Sequence, residues 1–157
     1  MNKTIIKLAG LILLTSCASK TPNNIQYEKL SVVEGELLKE KWQKLMRYSA
    51  RYPFAAAVAG KNGCTIVEYV ITPEYDITNI NVKETTDKVF NKAAKSVVSN
   101  WKWKELPKGI LTEAVKTQTQ FNFCIESEER PCSEEVKKFS CNSLDSISSI
   151  GEIVKRG

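Results

Sequence analysis

The stretch TTDKVFNKAAKSVVSNWKW, residues 85–103, decides how this chain folds. Val89, Phe90, Ala93, Ala94, Val97, Val98 and Trp101 recur at three- and four-residue spacing, which is one apolar stripe of a helix. Thr85 or Thr86 can cap its start, and Asp87 suits the positive end of the helix dipole. A stripe this continuous needs an apolar surface to lie on. The sequence on either side supplies one in the form of strands.

Upstream, residues 64–71 are rich in β-branched side chains. Thr65, Val67, Tyr69 and Ile71 fall on one face; Cys64, Ile66, Glu68 and Val70 fall on the other. Pro73-Glu74-Tyr75-Asp76 has turn composition, and a second strand follows from Ile77 to Glu84. Its apolar positions Ile77, Ile80 and Val82 break strict alternation, which predicts a bulge near Thr78-Asn79. Downstream, Pro107 and Gly109 mark a loop. A long strand is then expected from Glu113 to Ile125, with Val115, Thr117, Thr119, Phe121, Phe123 and Ile125 on one face and Lys116, Gln118, Gln120, Asn122 and Cys124 on the other. Strand, strand, helix, strand gives an α+β fold, a small antiparallel sheet packed on one helix.

Further out, residues 28–50 read as an amphipathic helix, with Leu30, Val33, Leu37, Leu38, Trp42, Leu45 and Ser49 near one face. Packing of that helix on the domain is preferred to a free partner-binding role. Pro53 ends the unit and biases Tyr52 toward an extended conformation. The segment 127–157 is polar. A short helix is expected from Ser133 to Ser140 with Ser133 as cap, and residues 142–157 are expected to be weakly structured.

The amino terminus carries an address. Lys3 and Lys7 flank a short apolar run, and Leu14-Thr15-Ser16-Cys17 has the order of a bacterial lipobox. The run is too short to span a bilayer as a stable helix. Likeness to lipoprotein leaders implies removal of residues 1–16 and acylation of Cys17. The rival is an ordinary secretory signal with a chance cysteine. Acyl chains contribute about 0.8 kcal/mol per buried methylene, so several would hold the mature protein on a membrane leaflet. Residues 17–27, small, polar and interrupted by Pro22, read as a tether. Neither Ala18 nor Ser19 is acidic, which by likeness to lipoprotein sorting favours the outer membrane, with the protein facing the periplasm.

Composition narrows the function. Hydrophobic residues make up 42% and aromatic residues 8%, ordinary for a globular domain. Two of the 23 basic residues, Lys3 and Lys7, belong to the leader, which leaves only a small excess over 18 acidic ones. That excess is too mild, and too scattered, to point to nucleic acid. With no histidine in the chain, histidine-based catalysis is excluded. No phosphate loop, nucleophile elbow or spaced acid pair is recognisable, so no catalytic residue, metal site or cofactor is expected. Trp101 and Trp103 could stack on a sugar, but a core role for Trp101 is preferred. With Cys17 acylated, Cys64, Cys124, Cys132 and Cys141 form an even set. Outside the cytoplasm that suggests two disulfides rather than zinc.

Taken in order, Tyr52-Pro53, Gly63 opening a strand, Asn79, Thr85-Thr86, Phe90, Ala93-Ala94, Val98 and Trp101-Lys102-Trp103 resemble the C-terminal domain of TonB-type proteins. The likeness spans roughly residues 50–125, within a domain read as 51–126. Asn91 stands where that family has Asp, Tyr75 where it has a turn glycine, and Pro107 falls late. The resemblance implies a non-catalytic binding module whose last strand, through the backbone edge of Glu113, Val115, Lys116, Gln118, Gln120 and Asn122, accepts an extended peptide. The implied partner is a segment of an outer-membrane transporter or another envelope protein, and the same edge could pair two copies. An alternative is a structural lipoprotein that tethers peptidoglycan or supports an assembly machine. Family energy transducers carry a membrane helix and a long Pro-rich spacer; a lipid anchor with a short tether would not couple to an inner-membrane motor. The family's topology also puts the start of the first strand beside the end of the last, implying a Cys64–Cys124 bond. Cys132–Cys141 would remain, but a straight helix between them separates the ends by roughly 13 Å. Bonded α-carbons lie within about 7 Å. Either that helix is shorter or the pairing differs.

Overall fold

The computed structural model describes residues 27–152. The leader, Cys17 and nearly all of the tether lie outside the described residues, as do residues 153–157. The core is a four-stranded sheet: β1 (Gly63–Ile71), β2 (Ile77–Thr85), β3 (Val115–Ile125) and β4 (Ser146–Gly151), in the order β2-β1-β3-β4. β1 runs antiparallel to both β2 and β3, and β4 lies parallel to β3. Helices α1 (Phe54–Val58), α2 (Asn91–Asn100) and α3 (Cys132–Glu135) complete the fold.

α2 carries the expected stripe. Phe90, Ala94, Val98 and Trp101 are buried against the face of the sheet that presents Val67, Tyr69, Phe121 and Phe123. Phe90 stacks on Phe123 with ring centroids 4.5 Å apart, and Tyr69 meets Trp101 and Trp103 edge-on. Both tryptophans are buried, their indole N–H groups donating to Tyr48 O and Val98 O. They serve as core, and no sugar platform exists there. The helix start differs in detail from expectation. Asp87 is the cap, accepting from Val89 N over a 3-10 turn, Lys88–Phe90. Thr86 instead accepts from Cys64 N and closes the end of the β1–β2 pair.

The β1–β2 register shifts between Glu68 and Val70, opposite the stretch that contains Asn79 (φ 50°), where irregularity was expected, and again between Ile66 and Val67. At the turn, Tyr75 holds φ 61° in a position suited to glycine. Its ring is buried, its hydroxyl donates to Pro107 O, and that same oxygen accepts from Ile110 N. These contacts offset the strain and tie the turn to the Pro107–Gly109 loop.

Three expectations fail outside this core. First, residues 28–50 do not form a helix. Gly35 sits at φ 63° and the chain makes two 3-10 turns, Glu36–Leu38 and Glu40–Trp42, before continuing irregularly. The helical spacing was a by-product of separate anchors, as Leu37, Trp42 and Leu45 enter the core while Leu38 is exposed. Glu36 is buried, accepting from Lys39, Lys41 and Trp42 Nε1.

Second, the disulfides pair as Cys64–Cys141 and Cys124–Cys132, not as Cys64–Cys124 and Cys132–Cys141. Cys64 lies directly opposite Asn122, so Cys124 is two residues out of register with it. The short helix α3 brings Cys132 back to Cys124. The tail then crosses the sheet's second face, where Cys141 and Phe139 cover Cys64 and Ile66. Third, the segment after residue 142 is not loose, because it supplies β4.

Candidate partner-binding surface

β3 does not border the sheet. Its outer rim is occupied by β4 from Gln120 to Ile125 and, at its start, by a parallel bridge between Val32 and Lys116, with Val33 N donating to Lys116 O at 2.8 Å. The side chains expected to meet a partner are consumed internally. Lys116 pairs with Glu68 at 2.8 Å. Gln118 is buried, donating to Glu34 and Ser143 and accepting from Lys83. Gln120 donates to Asn122, both of them buried. Val115 packs on the core, and Glu113 is exposed in the loop before the strand. Apart from Glu113, the set is therefore an interior ladder, closed by β4 along its second half and by the Val32 bridge at its start. Sequence alternation could not reveal this, because polar side chains on a covered face look like polar side chains in water.

One buried cluster seats the covering strand. Asp145, immediately before β4, is buried and takes both hydrogen bonds of the Arg47 guanidinium at 2.7 and 2.8 Å. Thr119 donates to the same carboxylate at 2.7 Å, so Thr119 accepts from Tyr69 OH at 2.8 Å. Burial holds the Tyr69 phenol well above the usual tyrosine range. At the other end of β4, Gly151 packs under Tyr52. A Cβ there would come within 2.7 Å of the ring. Tyr52 donates to Lys61 O, meets Phe90 and Phe123 edge-on, and has its own ionisation pushed up to about 12 by burial.

β4 now forms the rim. The Asp145 and Gly151 carbonyls accept from Gln120 N and Glu126 N, so the odd residues of the strand face β3. Strand geometry then turns the backbone groups of Ser146, Ser148 and Ile150 outward. Among the described residues, the backbone hydrogen bonds of β4 all run to β3. Beside this rim lie two adjoining hollows that share Arg51, Tyr52, Ala93, Ser96 and Ile150. A separate hollow near Leu30 and Lys116 includes Glu36, whose carboxylate already has three donors. No group of three or more metal-ligating side chains occurs among the described residues.

The family described as "Gram-negative bacterial TonB protein C-terminal" matches residues 48–125, from the extended segment before Tyr52-Pro53 to the end of β3. That segment belongs to the TonB C-terminal family. Two solved TonB C-terminal domains resemble the chain. The Helicobacter pylori domain (residues 179–285) is 22% identical, over 50% of this chain and 72% of its own, with a TM-score of 0.43. The Pseudomonas aeruginosa domain is 24% identical, over 55% and 88%, also with a TM-score of 0.43. No curated protein matches the chain. The TonB match ends at β3, so the tail that carries both remaining cysteines and β4 lies beyond it.

Proposed function

We propose that this chain is a non-catalytic, periplasm-facing lipoprotein, anchored through Cys17, whose TonB-type domain binds a polypeptide partner by strand addition at the outer rim of β4. The observation that carries the reading is the set of outward backbone groups at Ser146, Ser148 and Ile150, beyond which no strand lies among the described residues. Each added backbone hydrogen bond contributes about 1 kcal/mol, so a short segment binds modestly and reversibly. The opposite rim, β2, is broken by two register shifts, a feature that blunts edge pairing. The lipobox supports the anchor, and the use of Cys64, Cys124, Cys132 and Cys141 in disulfides fits an oxidising compartment and leaves Cys17 for lipid. The family supports a link to outer-membrane transport.

Photo-crosslinking in cells from position 150, an exposed residue of β4, tests this, with Ser148→Pro as the control. Proline removes an outward N–H and leaves the bonds to β3 in place. Adducts with an envelope transporter that disappear in Ser148→Pro are expected. Adducts that persist in that variant, or crosslinks only to peptidoglycan-bound material, overturn it.

A further inference from the structure

We infer that the groove beside β4 reads the side chains of the added strand and selects an extended segment whose groove-facing positions, every second residue, combine apolar with acidic side chains. The inference rests on strand addition at β4. A strand on that rim lies about 4.8 Å from it, and every second side chain then faces the α2 side. What it meets there is a built groove. Ala93 and Ser96, one turn apart on α2, keep the wall low, and Tyr52 forms the end.

The apolar component is concentrated. Of the six exposed large hydrophobic residues among the described ones, three border the two hollows: Tyr48, Phe54 and Ile150, with Phe54 71% exposed. The charge is one-sided. Arg51 and Lys92 stand exposed at the lining with no ion pair among the described residues. Lys102 is paired with Glu105 at 3.1 Å, and Glu152 is the one carboxylate lining the groove among the described residues. Cations this close to an open strand rim attract an acidic side chain on the incoming strand and repel a basic one. A second copy of β4 fits poorly, since SISSIG carries no acid and pairing two rims would bring both sets of cations together.

The test uses the full mature chain and two fluorescent ten-residue peptides with Ser at every second position and, between the serines, Val taking turns with Asp or Val taking turns with Lys, followed by anisotropy. The Asp peptide should bind about tenfold more tightly at low ionic strength, an advantage that shrinks as salt is raised. The double variant Arg51→Glu/Lys92→Glu should reverse the order, and Ser148→Pro should abolish both. Equal affinities that Ser148→Pro still abolishes overturn the selectivity and leave strand addition standing. Asp-peptide binding indifferent to Ser148→Pro overturns strand addition, and so does the absence of binding by either peptide. A peptide-independent dimer lost in Ser148→Pro assigns the rim to a second copy and overturns the acidic partner.

Discussion

Asp145 illustrates how much one side chain decides. Its carboxylate joins the segment before the family domain, through Arg47, to the middle of the sheet, through Thr119, at the residue where β4 begins. Asp145→Ala strands the guanidinium and the Thr119 hydroxyl and should cost about 3 kcal/mol in urea unfolding. Arg47→Met keeps the stem beside the Trp101 ring but leaves a buried carboxylate unpaired, and should cost a comparable amount. Because the two act as a unit, the double variant should cost clearly less than both single costs combined; strict additivity would show that they are not coupled. Two phenols set the alkaline limit. Folding raises the ionisation of Tyr52 to about 12 and that of Tyr69 further, from about 10 in the unfolded chain. The folded state therefore holds more protons above pH 10, and stability, fully present below that value, should fall as pH rises from there. A urea midpoint that stays flat from pH 9 to 11.5 would contradict this. At the acid end, burial pushes the Glu36 carboxyl up, but hydrogen bonds from Lys39, Lys41 and Trp42 outweigh it and leave it below the usual range. Its contribution, present above the ordinary carboxylate value, is lost as pH falls through the lowered one.

Elements built on their own periodicity were legible in the sequence. The α2 stripe, β1, the turn at Tyr75 and the odd face of β3 follow from residue spacing, and the structure uses them as read. Gly63 was legible only as a motif; a Cβ there would come within 2.1 Å of Thr86 Oγ1 and 2.9 Å of Phe90, so the close approach of strand and helix start excludes any larger residue. Elements that exist only through a partner were not legible. β4 is half serine, with Ile147 alone among its side chains packed on the main core, and its extended form comes from the β3 rim it pairs with. The disulfides failed for a related reason, since matching two cysteines to one face leaves open which of them lie directly opposite. The two bonds should differ in weight. Cys64–Cys141 spans a separation of 77 residues and Cys124–Cys132 only 8. In the chain-entropy account the first stabilises by about 4.5 kcal/mol and the second by about 2.5 kcal/mol. Replacing each pair by serines should reproduce that order in thermal unfolding, and the longer-range pair should also loosen β4, seen as faster amide exchange at Ile147 and Ser149.

At the scale of the molecule, a family domain is wrapped at both ends by chain outside its matched span, residues 48–125. Residues 32–47 and 132–152 meet around β3, and together they convert what the resemblance implied to be a binding edge into an interior strand. If Cys17 carries the lipid, Cys17→Ala should move the protein from the membrane fraction to the soluble periplasm without altering its unfolding curve. Retention in the membrane would sink the anchor. Wrapping also has a consequence for biosynthesis. A ribosome makes the two halves of the innermost strand pair roughly fifty residues apart, and the seal arrives later still. A nascent chain halted between Ile125 and Ser146 therefore exposes a bare, sticky hem with nothing of its own to cover it. Premature stop codons in that interval should yield products that clump or are degraded, whereas stops after Gly151 should be tolerated.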